Sequence, residues 1–318
     1  MTGELFIART LEEFSAHISQ RMGDAEARIH AAEADTLSAQ RSDPDAEPAT
    51  PRVATLGFVP TMGALHDGHA TLIERAREQN DVVAVSIFVN PLQFGPGEDY
   101  DEYPRRPDED LALLREYGVD IVFIPELEVM YPGGEPLVRV SSGRLGTMFE
   151  GAARPGHFDG VLTVVNKLFN VVVAAAGPHR GRAYFGQKDA QQVALVQRMV
   201  ADFAIPLVVC PVAIVRDDDG LAMSSRNSYL DPEERKAALV LSRTLALLRE
   251  EGLSRGYAGI DVDAARERIS DRDGVDLEYL EIVDPKTFEA PVENSERATA
   301  LAAIRVGGTR LIDNMDVI

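Results

Sequence analysis

Pro60-Thr61-Met62-Gly63-Ala64-Leu65-His66-Asp67-Gly68-His69 follows an apolar run, Leu56 to Val59, and opens an amphipathic one, Ala70 to Arg77. A strand therefore hands over to a helix where two imidazoles and two glycines sit. Unpaired N–H groups and the positive end of the helix dipole make such a junction a ready site for phosphate, and glycines let ligand atoms approach the backbone. A nucleotide site is the first reading. Two incidental surface histidines, or the start of a zinc site on one helical face, are the alternatives. Zinc ranks last: the chain has six histidines and one cysteine, the metalloprotease pattern needs its histidines four apart with a Glu between, and no third ligand follows at a familiar spacing.

On both sides of this junction the pattern alternates. Leu11 to Met22 reads as a short helix, with Phe14, Ile18 and Met22 four apart. Gly23 to Arg52 turns polar and is read as a polar helix followed by a flexible loop, an insertion over residues 24–50. Strand-like runs (Leu56 to Val59, Val82 to Val89, Ile121 to Ile124) then interleave with helical ones (Ala70 to Glu78, Asp108 to Tyr117). Continuously apolar strands alternating with helices predict an α/β fold, a doubly wound parallel sheet covered on both faces. Further on, Val161 to Ala176 and Gln191 to Phe203 read as helices, and Ala183 to Phe185 and Leu207 to Val215 as strands. Arg216-Asp217-Asp218-Asp219-Gly220 is the expected junction, giving domains 1–215 and 216–318. In the second, Asp231 is an N-cap with Pro232 behind it for a helix to Glu251. Strands at Leu277 to Val283, Thr299 to Val306 and Thr309 to Ile312 make this a smaller α+β domain.

The 318 residues suffice for a substantial core. A net charge of −20 repels nucleic acid and anionic membranes, and would repel an anionic substrate unless a cleft gathers its own cations and helix N-termini. Cys210 is alone, which excludes a disulfide framework and fits a reducing compartment. The start of the chain lacks the order of a signal peptide, and no apolar run is read as a membrane span. A cytoplasmic protein with no membrane partner is expected.

Further segments supply what the His-bearing junction lacks. In Tyr184-Phe185-Gly186-Gln187-Lys188-Asp189-Ala190-Gln191-Gln192 a strand again ends in Gly and opens a helix, placing a lysine where strand ends converge on a ligand crevice. Met223-Ser224-Ser225-Arg226-Asn227 offers hydroxyls and a guanidinium suited to triphosphate oxygens, or is a plain Asn/Ser-rich turn. Arg226, following an acidic glycine-containing turn, is expected to gain a strong partner only when the triphosphate arrives. At Phe88-Val89-Asn90-Pro91-Leu92-Gln93-Phe94-Gly95 a buried strand breaks and presents Asn90 and Gln93, amides that suit hydroxyl or carboxylate recognition, or that simply cap the loop. Asp108-Glu109-Asp110 either binds magnesium or caps the following helix.

With Tyr103-Pro104-Arg105, Arg154-Pro155-Gly156-His157-Phe158-Asp159-Gly160-Val161 and Gly220-Leu221-Ala222 added in order, these segments closely resemble the pantothenate synthetase (pantoate–β-alanine ligase) family, from about Leu56 onward. His66-Asp67-Gly68-His69 alone would indicate only the broader HxGH nucleotidyltransferases. Gln187 stands where the family often has Glu, and the 24–50 segment is longer than usual. The resemblance implies a Rossmann-like nucleotide domain, a C-terminal lid domain, a homodimer, and Mg2+- and ATP-dependent condensation of pantoate with β-alanine through pantoyl adenylate, releasing AMP and pyrophosphate. It assigns catalysis to His66, His69, Lys188 and Arg226. ATP would lie against these four and Met62, Gly63, Gly186, Asp189, Met223, Ser224 and Ser225. Pantoate would lie against Met62, Gln93 and Gln192, and Asp110 is the candidate in the magnesium shell. Two rivals are a nucleotidyltransferase acting on a phosphate acceptor and a nucleotide sensor without catalysis. Gln93 and Gln192 argue against the first, since a phosphate would call for Arg or Lys; the full set of imidazoles, lysine and Ser-Ser-Arg argues against the second.

Overall fold

A computed structural model describes residues 4–40, 52–292 and 295–318. Strand β1 (Phe6–Ala8) leads into helix α1 (Leu11–Gln40), followed by β2 (Leu56–Thr61), α2 (Asp67–Gln79), β3 (Val82–Ile87), α3 (Pro107–Glu116) and β4 (Ile121–Phe123). The short helices α4 (Leu127–Met130) and α5 (Phe149–Ala153) precede α6 (His157–Ala176), β5 (Gly181–Gly186), α7 (Ala190–Asp202) and β6 (Leu207–Val212). The six strands form one parallel sheet in the order β1-β4-β3-β2-β5-β6.

Alternation explains why both faces are covered. Leu56, Phe58, Val82, Ala84, Ile121 and Phe123 point to one side, where they meet Phe14 and Ile18 of α1 and Phe169 of α6. Val59, Val83, Val85 and Val122 point to the other, against Leu72, Ile73 and Ala76 of α2 and Leu114 of α3. Successive residues of a strand serve opposite layers, so these strands are apolar throughout, as a doubly wound sheet requires. The chain moves outward from β2 to β3 and β4, then returns to β5 on the opposite flank. The carboxyl ends of β2 and β5 thus bracket the switch point where such sheets bind ligands.

The second part contains α8 (Pro232–Arg255), α9 (Val262–Ser270) and an antiparallel sheet of β7 (Val275–Val283), β8 (Thr299–Val306) and β9 (Thr309–Asp316). Asp231 caps α8 by accepting from the amides of Glu233 and Glu234, with Pro232 in the first turn. Leu241, Leu245 and Leu248 of α8 and Ile269 of α9 pack on the sheet. A small apolar cluster of Phe149, Phe288 and Leu301 joins the two parts. Beside it the Glu150 carboxylate accepts from Arg310 at 2.5 and 2.8 Å and from the Tyr279 hydroxyl at 2.7 Å.

Two expectations change. Residues 24–40 continue α1, because the stripe of Phe14, Ile18 and Met22 carries on through buried Ala25 and partly buried Ile29. Glu26 also pairs with Arg180. The polar helix expected after Met22 is therefore the continuation of α1, packed against the core and not part of a flexible insertion, and residues 41–51 lie outside the described residues. Helix α6 is long and apolar enough to cross a membrane by length and composition, which no single run in the sequence suggested. Its buried face, including Phe158, Leu162, Val165 and Phe169, is part of the core beneath the sheet.

Candidate active site

The turn from β2 into α2 is held from two sides. Gly63 and Ala64 both adopt positive φ, 89° and 51°, which costs little at glycine and is strained at alanine. Asp110 holds them there: its carboxylate accepts from the Ala64 amide at 3.0 Å and the Leu65 amide at 2.7 Å. A Cβ on Gly63 would stand 2.9 Å from Ile87 and 3.1 Å from the Asp110 carboxylate. Asp110 is 2% exposed and both its oxygens are engaged. It anchors the turn, a role beyond the two that the sequence offered, magnesium ligand or cap of the following helix. Gly63 is buried and shapes the turn without lining the cavity.

His66 and His69 cap α2 reciprocally. The Gly68 amide donates to His66 Nδ1 at 3.1 Å, and the His66 amide lies 3.4 Å from His69 Nδ1. A Cβ on Gly68 would stand 2.8 Å from the His66 ring, so this glycine is what lets the imidazole fold over the helix end. Because each Nδ1 accepts from a backbone N–H, each neutral ring carries its hydrogen on Nε2. Burial, and then the other ring's charge, depresses His69 to about 3. Burial and then Lys188 also lower His66. At neutral pH the pair is two uncharged N–H donors, their rings 4.2 Å apart, at a helix N-terminus.

Opposite them lie the groups after β5. Gly186, Lys188, Asp189 and Gln192 share a cavity of about 260 Å³ with Met62, His66, His69, Gln93, Met223, Ser224, Ser225 and Arg226. Lys188 has no hydrogen bond or ion pair to any described residue, and its backbone is fixed from the other sheet: buried Asn314 of β9 donates to the carbonyls of Gln187 and Lys188, both at 2.8 Å. The Ser224 hydroxyl accepts from the Arg226 amide. Arg226 itself already has a partner, Asp99, at 3.0 and 3.2 Å. The acidic turn is tied down too, Asp217 and Asp219 both accepting from Arg235. Arg226 therefore does not wait unpaired for a triphosphate, contrary to the sequence expectation; an incoming phosphate competes with a carboxylate.

At the far end of the cavity the amides are oriented. Asn90, 1% exposed, donates to Gln93 Oε1 at 3.2 Å and to the Gly160 carbonyl at 3.1 Å, while accepting from the Tyr131 hydroxyl at 2.8 Å. With its oxygen so engaged, Gln93 turns its NH2 toward Met62 Sδ, 2.8 Å away, and presents donors. Val161, Val164, Val165 and Leu168 of α6 supply an apolar wall. Sequence reasoning missed this wall, Asn314 and the buried role of Asp110. It quoted Arg154 and His157 without giving them work, although both line this cavity and the second lobe of about 480 Å³ beside it.

His157 is a third neutral imidazole, half-buried like the other two. Its Nδ1 lies 2.7 Å from the Gln93 carbonyl, which can only accept, so the hydrogen is on Nδ1 and Arg154 donates to Nε2 at 3.2 Å. Burial, and then Arg154, lower it to about 4. The unfolded chain thus takes up more protons than the folded one below about pH 6.5. Stability present at neutral pH is lost as the pH falls toward about 4 for His157 and about 3 for His69, by up to about 1.4 kcal/mol per pH unit for each ring. His157→Gln should flatten the decline of the urea midpoint between pH 6.5 and 4. An unchanged slope would show that this ring is solvated.

Comparison with known proteins gives one family throughout. The family model for pantoate-β-alanine ligase matches residues 33–316. A pantothenate synthetase of Corynebacterium glutamicum (strain R) is 54% identical over 273 residues, 83% of this chain and 94% of its own. The crystal structure of pantothenate synthetase from Thermus thermophilus superimposes with a TM-score of 0.80 at 42% identity, covering 98% of this chain and 99% of its own. That of pantoate-β-alanine ligase from Francisella tularensis, complexed with β-γ ATP and β-alanine, gives 0.71 at 31% identity, covering 98% and 97%.

Proposed function

The chain belongs to the pantoate-β-alanine ligase family, and we propose that its cavity carries out both halves of an ATP-dependent ligation of pantoate to β-alanine. One observation carries the reading. A single cavity has a phosphate end, with two neutral imidazole donors and Lys188, and an acid end, with oriented amides and an apolar wall. Pantoate has hydroxyls and a carboxylate for Gln93 and Gln192, and a dimethyl carbon for Val161, Val164 and Val165. A phosphate acceptor has no use for such a wall.

In the first half-reaction a pantoate carboxylate oxygen attacks the α-phosphorus of ATP. The new P–O bond forms as the bond to the β-phosphate oxygen breaks, and pyrophosphate leaves with its electrons. Negative charge on the phosphate oxygens is met by the Nε2–H groups of His66 and His69, by Lys188 and by Arg226 once Asp99 yields it. Met62, Gly186, Asp189, Met223, Ser224 and Ser225 frame the nucleotide. In the second half-reaction β-alanine, its ammonium having given one proton to water, attacks the acyl carbon through its nitrogen lone pair; the C–O bond breaks, AMP leaves with the electron pair, and the nitrogen gives a second proton to solvent and keeps one as the amide N–H. The chain needs no nucleophile of its own, only positioning.

Among the described residues no three of His, Cys, Asp and Glu cluster as a metal cage, and Asp110 is committed to two amides. Magnesium would enter with ATP as the counter-ion of its phosphates. The reading includes a homodimer working in the cytoplasm; sedimentation equilibrium measures the assembly. The decisive assay is pantoate-dependent exchange of labelled pyrophosphate into ATP without β-alanine, followed by pantothenate formation when β-alanine is added. Exchange that ignores pantoate would overturn the proposal.

A further inference from the structure

We propose that the guanidinium of Arg154 is the seat of the β-alanine carboxylate, and that Glu98 holds this place until the substrate arrives. The inference rests on the ligase reading above. Three anions must enter a chain of net charge −20: the triphosphate, the pantoate carboxylate and the β-alanine carboxylate. Pantoate loses its charge on becoming an acyl group, whereas the β-alanine carboxylate stays charged through to product and needs a lasting cation. Lys188 and Arg226 stand at the nucleotide end. In the second lobe, Arg310 is tied to Glu150 and Glu278, and Arg305 to Glu278.

Arg154 remains, and it is built as a fork. Its Nη1 is fixed on His157 Nε2 at 3.2 Å and its Nη2 reaches the Gln93 carbonyl at 3.3 Å, so the plane of the group is set by the edge of the pantoate pocket. The Nε–Nη2 edge is left for a carboxylate, and Glu98 occupies it at 2.8 and 2.5 Å. Bidentate recognition of this kind is what arginine does better than lysine. The pair is not sealed in, with side chains 17% and 25% exposed, and Arg154 borders both lobes. A carboxylate exchanging with Glu98 would place an amine two methylenes away, beside the acyl group that Gln93 holds. The site would thus select an amine by the acid it carries.

The test is Arg154→Gln, read by separate half-reactions. The KM for β-alanine should rise by about 100-fold or more, with pantoate-dependent pyrophosphate exchange within about five-fold of the parent. Propylamine, which has a methyl where β-alanine has its carboxylate, should be used equally by parent and variant. Glu98→Gln should lower the β-alanine KM by freeing the fork. Should Arg154→Gln unfold, Arg154→Lys keeps the charge without the fork and should give an intermediate KM. A pantoate KM that rises as much as that for β-alanine, or propylamine use that falls in parallel, would reduce Arg154 to a support for Gln93 and overturn the proposal. Failure of the ligase reading itself would show in the parent, as no pantothenate from the three substrates.

Discussion

Replacing His69 by alanine should slow pantoyl adenylate formation by about 100-fold or more, the loss that follows removal of one preorganised donor from developing phosphate charge. The structure gives this expectation a specific form. His69 is neutral, with its Nδ1 turned to the His66 amide, and it lines the cavity, so in the proposed chemistry it serves as a hydrogen-bond donor and not as a cation. Its low pKa, about 3, means that the exchange rate should show no titration of this ring between pH 5 and 8. The capping role is separable, because losing a cap costs only about 1 kcal/mol and should leave the variant folded. Near-normal pyrophosphate exchange in a folded His69→Ala protein would remove the ring from the chemistry. A similar loss is expected for His66→Ala.

Gln93→Ala should raise the KM for pantoate about 100-fold while changing that for ATP little, since a site built to hydrogen-bond a substrate discriminates through those bonds. The orientation of Gln93 is imposed by Asn90, which takes its oxygen and leaves the NH2 facing inward. Truncation thus removes the donors and strands an amide of Asn90 in a buried place. Gln192, which lines the same cavity, has no such side-chain partner among the described residues, so its replacement should cost less. Equal losses for ATP and pantoate in Gln93→Ala would show that the residue supports the cavity as a whole.

Much of this was legible in the chain, and the exceptions share a cause. The apolar alternation of Leu56–Thr61, Val82–Ile87 and Ile121–Phe123 announced the parallel sheet because both faces of these strands are buried. The junction at His66-Asp67-Gly68-His69 announced itself through glycine and imidazole at a strand end. What stayed hidden depends on contacts distant in sequence. Asp110 looked like a first-turn acid, the ordinary occupant of a helix start, and its bond to a turn 45 and 46 residues away has no local signature. Strand β9 was expected to stop at Ile312 because Asp313 and Asn314 are turn formers. Tertiary bonds prevail there: Asp313 accepts from Arg216 at 2.6 and 3.0 Å and Asn314 reaches the Lys188 loop. That the polar helix after Met22 is one with α1 was missed because Gly23 and Ala25 add little to an apolar stripe.

The grip of Asn314 on the Lys188 loop has a consequence for how the protein is made. Synthesis runs from the amino end, so the parallel sheet is complete in sequence once Val212 has emerged, and with it every histidine and the lysine of the phosphate end. The carbonyl of Lys188 must still wait for Asn314, 126 residues further along, before that amide holds it. A nascent chain that has not yet reached β9 thus lacks the bonds that fix the Lys188 backbone from the second sheet, and the two parts of the fold must meet before that lysine is set in place.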